Sequence, residues 1–512
     1  MGGVLRHDAR VKPSPVHLLC VENVISHNRN GGGRQTLTFE ISVANLDFAK
    51  RVEVHWEGED GEWRMLPAAY VGPLGGGREV WRAQSVHEAD GEDRPLPGDI
   101  RFIVGCWMGG REYWDGHEGR GYEITADTGI RVADGHQVLP VMTLPLLDAG
   151  QDVLPVAVAV RQALHPQRVF VRWSTDRWKT AHDAPCYFKR RHWDRVHRSN
   201  ARNPNKYGCA VWVGQVHAPG AYRIEYAIAC EGTHRTLWAN NEGENYAARH
   251  ERLKVLTLNL HCNQEVDAER KLARIAHAID ELRADVVCLQ EVCEPWDGVR
   301  SDPAGNPAQL LAARLPRKFE VHTAHSHVGF GRYLEGSAIL SRFGFARRDA
   351  AYVSRGGDLN DIHARKVVMG TVDVPYMGQV DVFSTHLSWW SGGFRDQFSQ
   401  LSRWADEVRR PDTAATLLCA DFNVAPGSEG YGLVIRDGGY EDQFKLAGGS
   451  SPRDAAPPLG NGEPTPATQR LDHVFLRAGS SLRAVAAREV FTDADYGRVS
   501  DHAGYLVEFE PL

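Results

Sequence analysis

The sequence predicts a multidomain chain in which two all-β sandwiches precede one mixed α/β domain. Three observations carry that reading. The chain has 512 residues, too many for one ordinary core and enough for two to four cores of about 100–250 residues each. Ten of its 14 Trp precede residue 250. At Leu253 the texture changes from short β runs punctuated by Gly, Pro and Asn to apolar strands alternating with helical patterns.

Composition narrows the class. Hydrophobic residues make up 42% and charged residues 24% of the chain, which excludes bulk disorder and fibrous proteins. No run of about 18 uncharged apolar residues occurs, so no membrane span is expected. The net charge of -7, from 59 basic and 66 acidic residues, gives no global positive field, although a local basic site is compatible with it. The opening Met1-Gly-Gly-Val-Leu-Arg-His-Asp lacks the apolar core of a signal peptide, and nine Cys without a CxxC pair read as reduced thiols. These features predict a cytoplasmic location.

The first half predicts strands at Thr36–Val43, Arg51–Trp56, Ile100–Cys106, Arg168–Trp173, Ala210–Gln215 and Tyr222–Cys230, a spacing that favours sandwiches. A repeat runs through it. Arg51-Val-Glu-Val-His-Trp56 parallels Arg168-Val-Phe-Val-Arg-Trp173 at an offset of 117, and Trp114 to Tyr122 parallels Trp238 to Tyr246 at an offset of 124. Two sandwiches are therefore expected at 14–131 and 150–250, followed by a third domain at 252–512.

In that third domain Lys254–Asn259 and Asp285–Gln290 read as strands around a helix at Asp267–Leu282, with Leu272, Ile275, Ile279 and Leu282 at helical spacing. If the strands are parallel neighbours, the right-handed crossover brings Asn259 and Glu291 together. Further strands are expected at Gln379–Thr385, Thr416–Ala420, Leu471–Leu476 and Tyr505–Phe509, with a helix from Phe394 to about Arg410. The patternless loop Gly448–Gln469 is placed where loops line active sites. Each strand runs apolar and meets a polar residue at its end: Asn259, Glu291, His386, Asp421 with Asn423, and Asp472, with Asp501-His502 just before the last strand. So many polar groups at strand ends are costly unless paired or liganded. Carboxylates there suit Mg²⁺ or Mn²⁺, while amides and imidazoles suit phosphate oxygens.

Seven segments, in order, resemble the motifs of the endonuclease/exonuclease/phosphatase superfamily. They are Leu256-Thr-Leu-Asn259-Leu-His, Val286-Val-Cys-Leu-Gln-Glu291-Val, Gly336-Ser-Ala-Ile-Leu-Ser-Arg342, Ser384-Thr-His386-Leu, Ala420-Asp421-Phe-Asn423, Arg470-Leu-Asp472-His and Ser500-Asp501-His502. The resemblance implies a four-layer α/β/β/α sandwich and a metal-dependent phosphoesterase. It implies Glu291 as principal metal ligand with Asn259 and Asp501 nearby, Asp421 to orient or deprotonate water, and Asn423 to hold the phosphate. His502, oriented by Asp472, and His386 would face phosphate oxygens or the leaving group, and Glu335 would partner His386. A phosphodiester, nucleic acid first, is the favoured substrate; a phosphomonoester or a sphingomyelinase-like activity is the alternative. Departures from the family pattern are Ala420 for Gly, His473 for an aromatic residue, and His261 where apurinic endonucleases carry an acid. Trp389-Trp390 reads equally as substrate contact or packing.

Val43-Ala-Asn-Leu-Asp-Phe-Ala-Lys-Arg-Val-Glu-Val-His-Trp56, Ser174-Thr-Asp-Arg-Trp-Lys-Thr180 and Trp238-Ala-Asn-Asn-Glu-Gly-Glu-Asn-Tyr246 resemble family 21 carbohydrate-binding modules. The resemblance implies immunoglobulin-like sandwiches that bind α-glucan, glycogen or starch. Sugar faces stack on aromatic rings, which makes Trp63, Tyr113, Trp114, Trp178 and Trp238 candidates. Each copy degrades a different motif, which leaves open that one or both sandwiches bind nothing. A glycan-binding scaffold whose hydrolase domain has lost activity is the reading from another class. The run Lys189–Arg198 reads mainly as a solvated loop.

Overall fold

Alternation of apolar and polar residues turns the first half of the chain into sheet. The computed structural model describes residues 14–27, 33–89, 95–141, 145–148, 150–188, 202–261, 266–454 and 468–512. The run Lys189–Arg198 lies outside them, as does most of the Gly448–Gln469 loop. Two compact units result, Met1–His250 and Glu251–Leu512.

In the first unit, one five-stranded sheet runs in the order Ile130–Val132, Val16–His27, Gly33–Ala44, Arg78–Glu88, Ala69–Leu74. A second contains Trp63–Pro67, Lys50–Glu57, Ile100–Met108 and Arg111–Asp115, with Tyr122–Ile124 also on Ile100–Met108. Val52, Val54 and Trp56 point inward and meet Phe39, Ile41, Phe102 and Val104 in the core, while Arg51 points out. The repeated strand Arg168–Ser174 has the same kind of neighbours as Lys50–Glu57: the strand after it, and one further on, Arg223–Glu231. The second half differs from two separate sheets. A short ladder between Cys186–Phe188 and Trp212–Gly214 joins its strands into one eight-stranded sheet around the Val156, Val171 and Ile228 core. Gly214 permits the approach, because a Cβ there would lie 2.8 Å from Cys186 Sγ.

The second unit has two six-stranded sheets. One runs Glu320–Gly329, Tyr333–Ser341, Val286–Pro295, Leu253–Asn259, Gly504–Pro511, Leu482–Val490; the other runs Phe345–Tyr352, Lys366–Val374, Gly378–His386, Thr413–Asp421, Asp472–Arg477, Tyr440–Asp442. Each holds one parallel pair bridged by a helix. Ala268–Glu281 connects Leu253–Asn259 to Val286–Pro295, and Phe394–Val408 connects Gly378–His386 to Thr413–Asp421. The first helix buries Ile275 and Ile279 on Leu256 and Leu289; the second buries Phe398 and Leu401 on Phe383 and Leu418. The inner faces meet through Gln290, whose Nε2 donates to Ser384 Oγ at 3.2 Å and to the Cys419 carbonyl at 3.4 Å. Both crossovers therefore deliver their strand C-termini to one edge of the stacked sheets.

Two expectations meet direct observations. Among the described residues no helix is long and apolar enough to cross a membrane. Seven cysteines are free and buried, but Cys293 is disulfide-bonded, so the reading of uniformly reduced thiols is corrected and the inference of a reducing compartment loses that support.

Candidate active site

Asn259 closes its strand with its side chain aimed at the neighbouring strand ends. Its Nδ2 donates to Glu291 Oε1 at 2.9 Å and to Asp421 Oδ2 at 3.0 Å, so residues 162 apart in sequence share one amide. Glu291 reaches that position from a bulge between Leu289 and Val292, with φ of 50° in the left-handed region. Asp421 stands opposite Asp472 in the sheet register, fully buried, and accepts the Asn423 N–H at 2.9 Å. Asn423, at φ 52°, turns its Nδ2 to the Leu387 carbonyl at 2.8 Å and to His386 Nε2 at 3.0 Å. That contact makes Nε2 the acceptor and leaves the ring proton on Nδ1, 3.8 Å from Glu291 Oε1. His502 Nδ1 donates to Asp472 Oδ2 at 2.7 Å and presents Nε2 to Asp421 Oδ2 at 3.7 Å.

The surrounding chain fixes these side chains. Gln397, on the helix after His386, both accepts from the Ser388 N–H at 2.8 Å and donates to its Oγ at 2.9 Å. His473 pairs its Nε2 with the Val424 carbonyl at 2.8 Å, steadying the backbone just past Asn423. Arg470, with a side chain that is 0% exposed, holds the other ring nitrogen of His473 at 2.8 Å and pairs with Asp442 at 2.7 Å and Asp454 at 2.8 Å.

Charge is strongly redistributed here. Burial opposes the His502 cation, yet Asp472 and Asp421 outweigh it and push its pKa up to about 10. Burial also lowers the pKa of His386 despite Asp421 and Glu291 beside it, which keeps that ring neutral. For Asp421 burial works upward, but His386, His502 and two N–H donors win and hold it below the usual carboxylate value. Burial and the Glu291 charge raise Glu335 to about 7.

The expected residues Asn259, Glu291, His386, Asp421, Asn423, Asp472 and His502 thus come together. Asp501 stands at the rim with its side chain 44% exposed, 3.6 Å from His261 Nδ1. Glu335 sits differently from expectation: among the described residues its ion-pair neighbour is His327, at 3.7 Å, and no such pair joins it to His386. Two groups have no sequence signal. His327 lies in a strand of the outer hairpin, and the largely buried Arg365 feels the charges of Glu335, Asp421 and Glu291. Trp390 packs into the core beside Phe394 at 5.9 Å.

Residues 256–502 match the Endonuclease/Exonuclease/phosphatase family model, and residues 141–249 match the Carbohydrate/starch-binding module (family 21). The C-terminal unit is an endonuclease/exonuclease/phosphatase domain. A family 21 module precedes it. Similar solved structures include an endonuclease/exonuclease/phosphatase family protein from Leptotrichia buccalis (23% identity, 50% of this chain and 99% of that chain, TM-score 0.44). Another is an endonuclease/exonuclease/phosphatase from Beutenbergia cavernae (24%, 51% and 72%, TM-score 0.39), and a third is the human Nocturnin catalytic domain with bound sulfate (18%, 51% and 95%, TM-score 0.40). No curated protein sequence matches the chain.

The endonuclease/exonuclease/phosphatase fold identifies a phosphoester hydrolase, and members typically use a divalent metal. Two donor sets offer a cation a place. Asp421, Asp472 and His502 present ligand atoms within 4.8 Å of one another, all buried. Glu291 and Asp501 offer hard carboxylate oxygens nearer the surface, beside the buried Asn259, whose Oδ1 accepts the His261 N–H. In the first set Asp472 Oδ2 is paired with His502, whose protonated imidazole has no lone pair for a metal, while Asp472 Oδ1 lies buried without a hydrogen-bond partner.

The aromatic candidates of the family 21 module and the sandwich before it are dispersed. Trp63, Trp114 and Trp238 are exposed, whereas Tyr113 packs against the first core. Trp178 is half-buried, its indole N–H enclosed without a partner. Trp114 abuts Trp107 at 5.2 Å and His55 at 5.1 Å; Trp238 lies beside Phe170 under the Arg172 guanidinium, 5.4 Å from the ring.

Proposed function

We propose that the C-terminal domain, read as a four-layer α/β/β/α sandwich over 252–512, is an Mg²⁺- or Mn²⁺-dependent phosphodiesterase, with nucleic acid the favoured substrate. The observation that carries this reading is the convergence at one sheet edge of an imidazolium–carboxylate pair, His502–Asp472, with a buried ionised Asp421, Asn423 and the Glu291–Asn259 pair. Glu291, with Asn259 and Asp501, would hold the cation, whose chemistry is to neutralise charge on phosphoryl oxygens. Asp421 orients a water and takes its proton as the new O–P bond forms. Asn423 and the His502 cation hold the equatorial oxygens where charge accumulates, and Asp472 fixes the His502 tautomer. His386 faces the leaving oxygen and donates a hydrogen bond to it from Nδ1–H, keeping its proton, as the ester bond breaks and that oxygen takes a proton from solvent.

A phosphomonoester is the second reading. Arg365 favours it, since an additional buried cation beside the carboxylates, its Nε without a partner, suits a dianionic group. The sandwiches at 14–131 and 150–250, read as immunoglobulin-like, tether the enzyme to α-glucan in this account. The test compares a generic phosphodiester with a phosphomonoester, then plasmid DNA, RNA, inositol phosphates and sphingomyelin, each with and without chelator. Diester turnover that needs metal supports the first reading, and preference for the monoester supports the second. Absence of metal-dependent turnover on every substrate would leave a glycan-binding scaffold.

A further inference from the structure

Strand Lys366–Val374 pairs antiparallel with Gly378–His386, Val368 standing opposite Ser384, so its first residues come level with His386. The loop that leads into it, 354–365, therefore reaches the site on the side where the leaving oxygen is proposed to lie. Its backbone is braced from within. Arg365 N–H donates to Ser354 Oγ at 2.9 Å and the Arg365 guanidinium donates to the Ile362 carbonyl at 3.0 Å. Asp358 accepts the Asn360 N–H and Asp361 accepts the His363 N–H, both at 2.9 Å. Both acids are occupied within the loop, while its two aliphatic side chains, Leu359 at 42% and Ile362 at 59% exposed, face water.

The tip of the outer hairpin lies against this loop. Val328 N–H donates to the Leu359 carbonyl at 2.6 Å, and Lys366 N–H donates to Ser326 Oγ at 3.1 Å. At that tip the Gly329 carbonyl accepts the Arg332 N–H at 3.0 Å around a two-residue turn, Phe330-Gly331, with φ of 52° and 65°. Positive φ at both central positions favours Asn-Gly, and a bulky ring at the first of them costs backbone energy. Phe330 recovers little of that through packing, being 67% exposed. A ring kept in water at a strained turn beside a candidate active site points to a contact with what that site binds.

We propose that Phe330, Leu359 and Ile362 form a platform on which the base of the leaving nucleoside lies, and so determine specificity at this site. The proposal rests on the nucleic-acid phosphodiesterase reading and deepens it. Continuity with the site makes the substrate itself the occupant. Beneath the platform the largely buried Arg365, its Nε without a partner, suits the phosphate, and above it an uncharged planar base stacks on the ring and packs against the aliphatic pair. A bilayer fits less well. The exposed Arg332 and Asp358 flank the three side chains and would lose their water on immersion, whereas a base laid on the ring leaves them solvated.

Steady-state hydrolysis by the full-length chain of an adenine dinucleotide, and of its analogue lacking the base on the leaving side, tests this. Phe330→Asn supplies the residue that the turn favours, so its melting temperature should equal or exceed that of the wild type. Its KM for the dinucleotide should nevertheless rise roughly 5- to 100-fold, the loss of one stacked base, with kcat and the KM for the base-less analogue each within about twofold. Ile362→Ser should act in the same direction and less. Equal losses on both substrates, or none on either, would overturn the platform, while wild-type turnover of the dinucleotide would keep the phosphodiesterase reading. Loss of binding to sphingomyelin vesicles by Phe330→Asn, with its KM for the dinucleotide unchanged, would assign the rim to lipid and also overturn it. A wild type that hydrolyses neither compound with Mg²⁺ would overturn both readings.

Discussion

At Asp421 the environment sets two opposing influences on one carboxyl: burial, which favours the neutral acid, and two imidazoles with two N–H donors, which favour the anion and prevail. Asp421→Asn keeps the shape and removes the proposed base. Its kcat should fall about 10²–10⁴-fold with the circular dichroism spectrum unchanged. His502 is held charged by Asp472, and this has a stability consequence. Its folded pKa of about 10 lies above the unfolded value of about 6.5. The stability it contributes is therefore fully present below about pH 6.5 and is lost as pH rises toward 10. The melting temperature of the metal-free protein should decline across that window, and Asp472→Asn should flatten the decline; NMR titration of the His502 ring should show its pKa drop in the same variant.

At the scale of elements, the edge of the second sheet depends on a polar knot. Arg470 is enclosed with Asp442 and Asp454, and Asp442 titrates well below the usual carboxylate range, since His473 and Arg470 overcome its burial. Arg470→Ala leaves Asp442 buried without its cation and should cost about 3–5 kcal/mol in denaturant unfolding. The difference from wild type should shrink as pH falls below about 4, where an Asp carboxyl in the unfolded chain takes up its proton. Much of the element plan was legible because its periodicity is strong. The expected Asp267–Leu282 helix is Ala268–Glu281, and the meeting of Asn259 with Glu291 follows from one crossover rule. What was not legible depends on long-range packing. Nothing in Ile362-His-Ala-Arg365 marks a guanidinium near the carboxylates, and the pairing of Glu335 with His327 arises from an outer hairpin with its own register shift between His325 and His327. The joined eight-stranded sheet of the second β region rests on a three-residue ladder that alternation alone does not reveal.

Across the whole molecule, the candidate site and the family 21 module fall in different compact units. Because the hydrolase residues all lie within Glu251–Leu512, a chain of those residues should hydrolyse a small soluble phosphoester with kcat/KM within about twofold of the full chain and lose retention on glycogen. A large loss of turnover on truncation would show that the first unit contributes to chemistry. The measurement that bears most directly on the central claim is initial-rate hydrolysis of a generic phosphodiester by the wild type and Asp421→Asn, before and after chelation and Mg²⁺ readdition. The account predicts turnover that chelator abolishes, that Mg²⁺ restores, and that Asp421→Asn lacks. Chelator-resistant turnover, or full activity in Asp421→Asn, would contradict it.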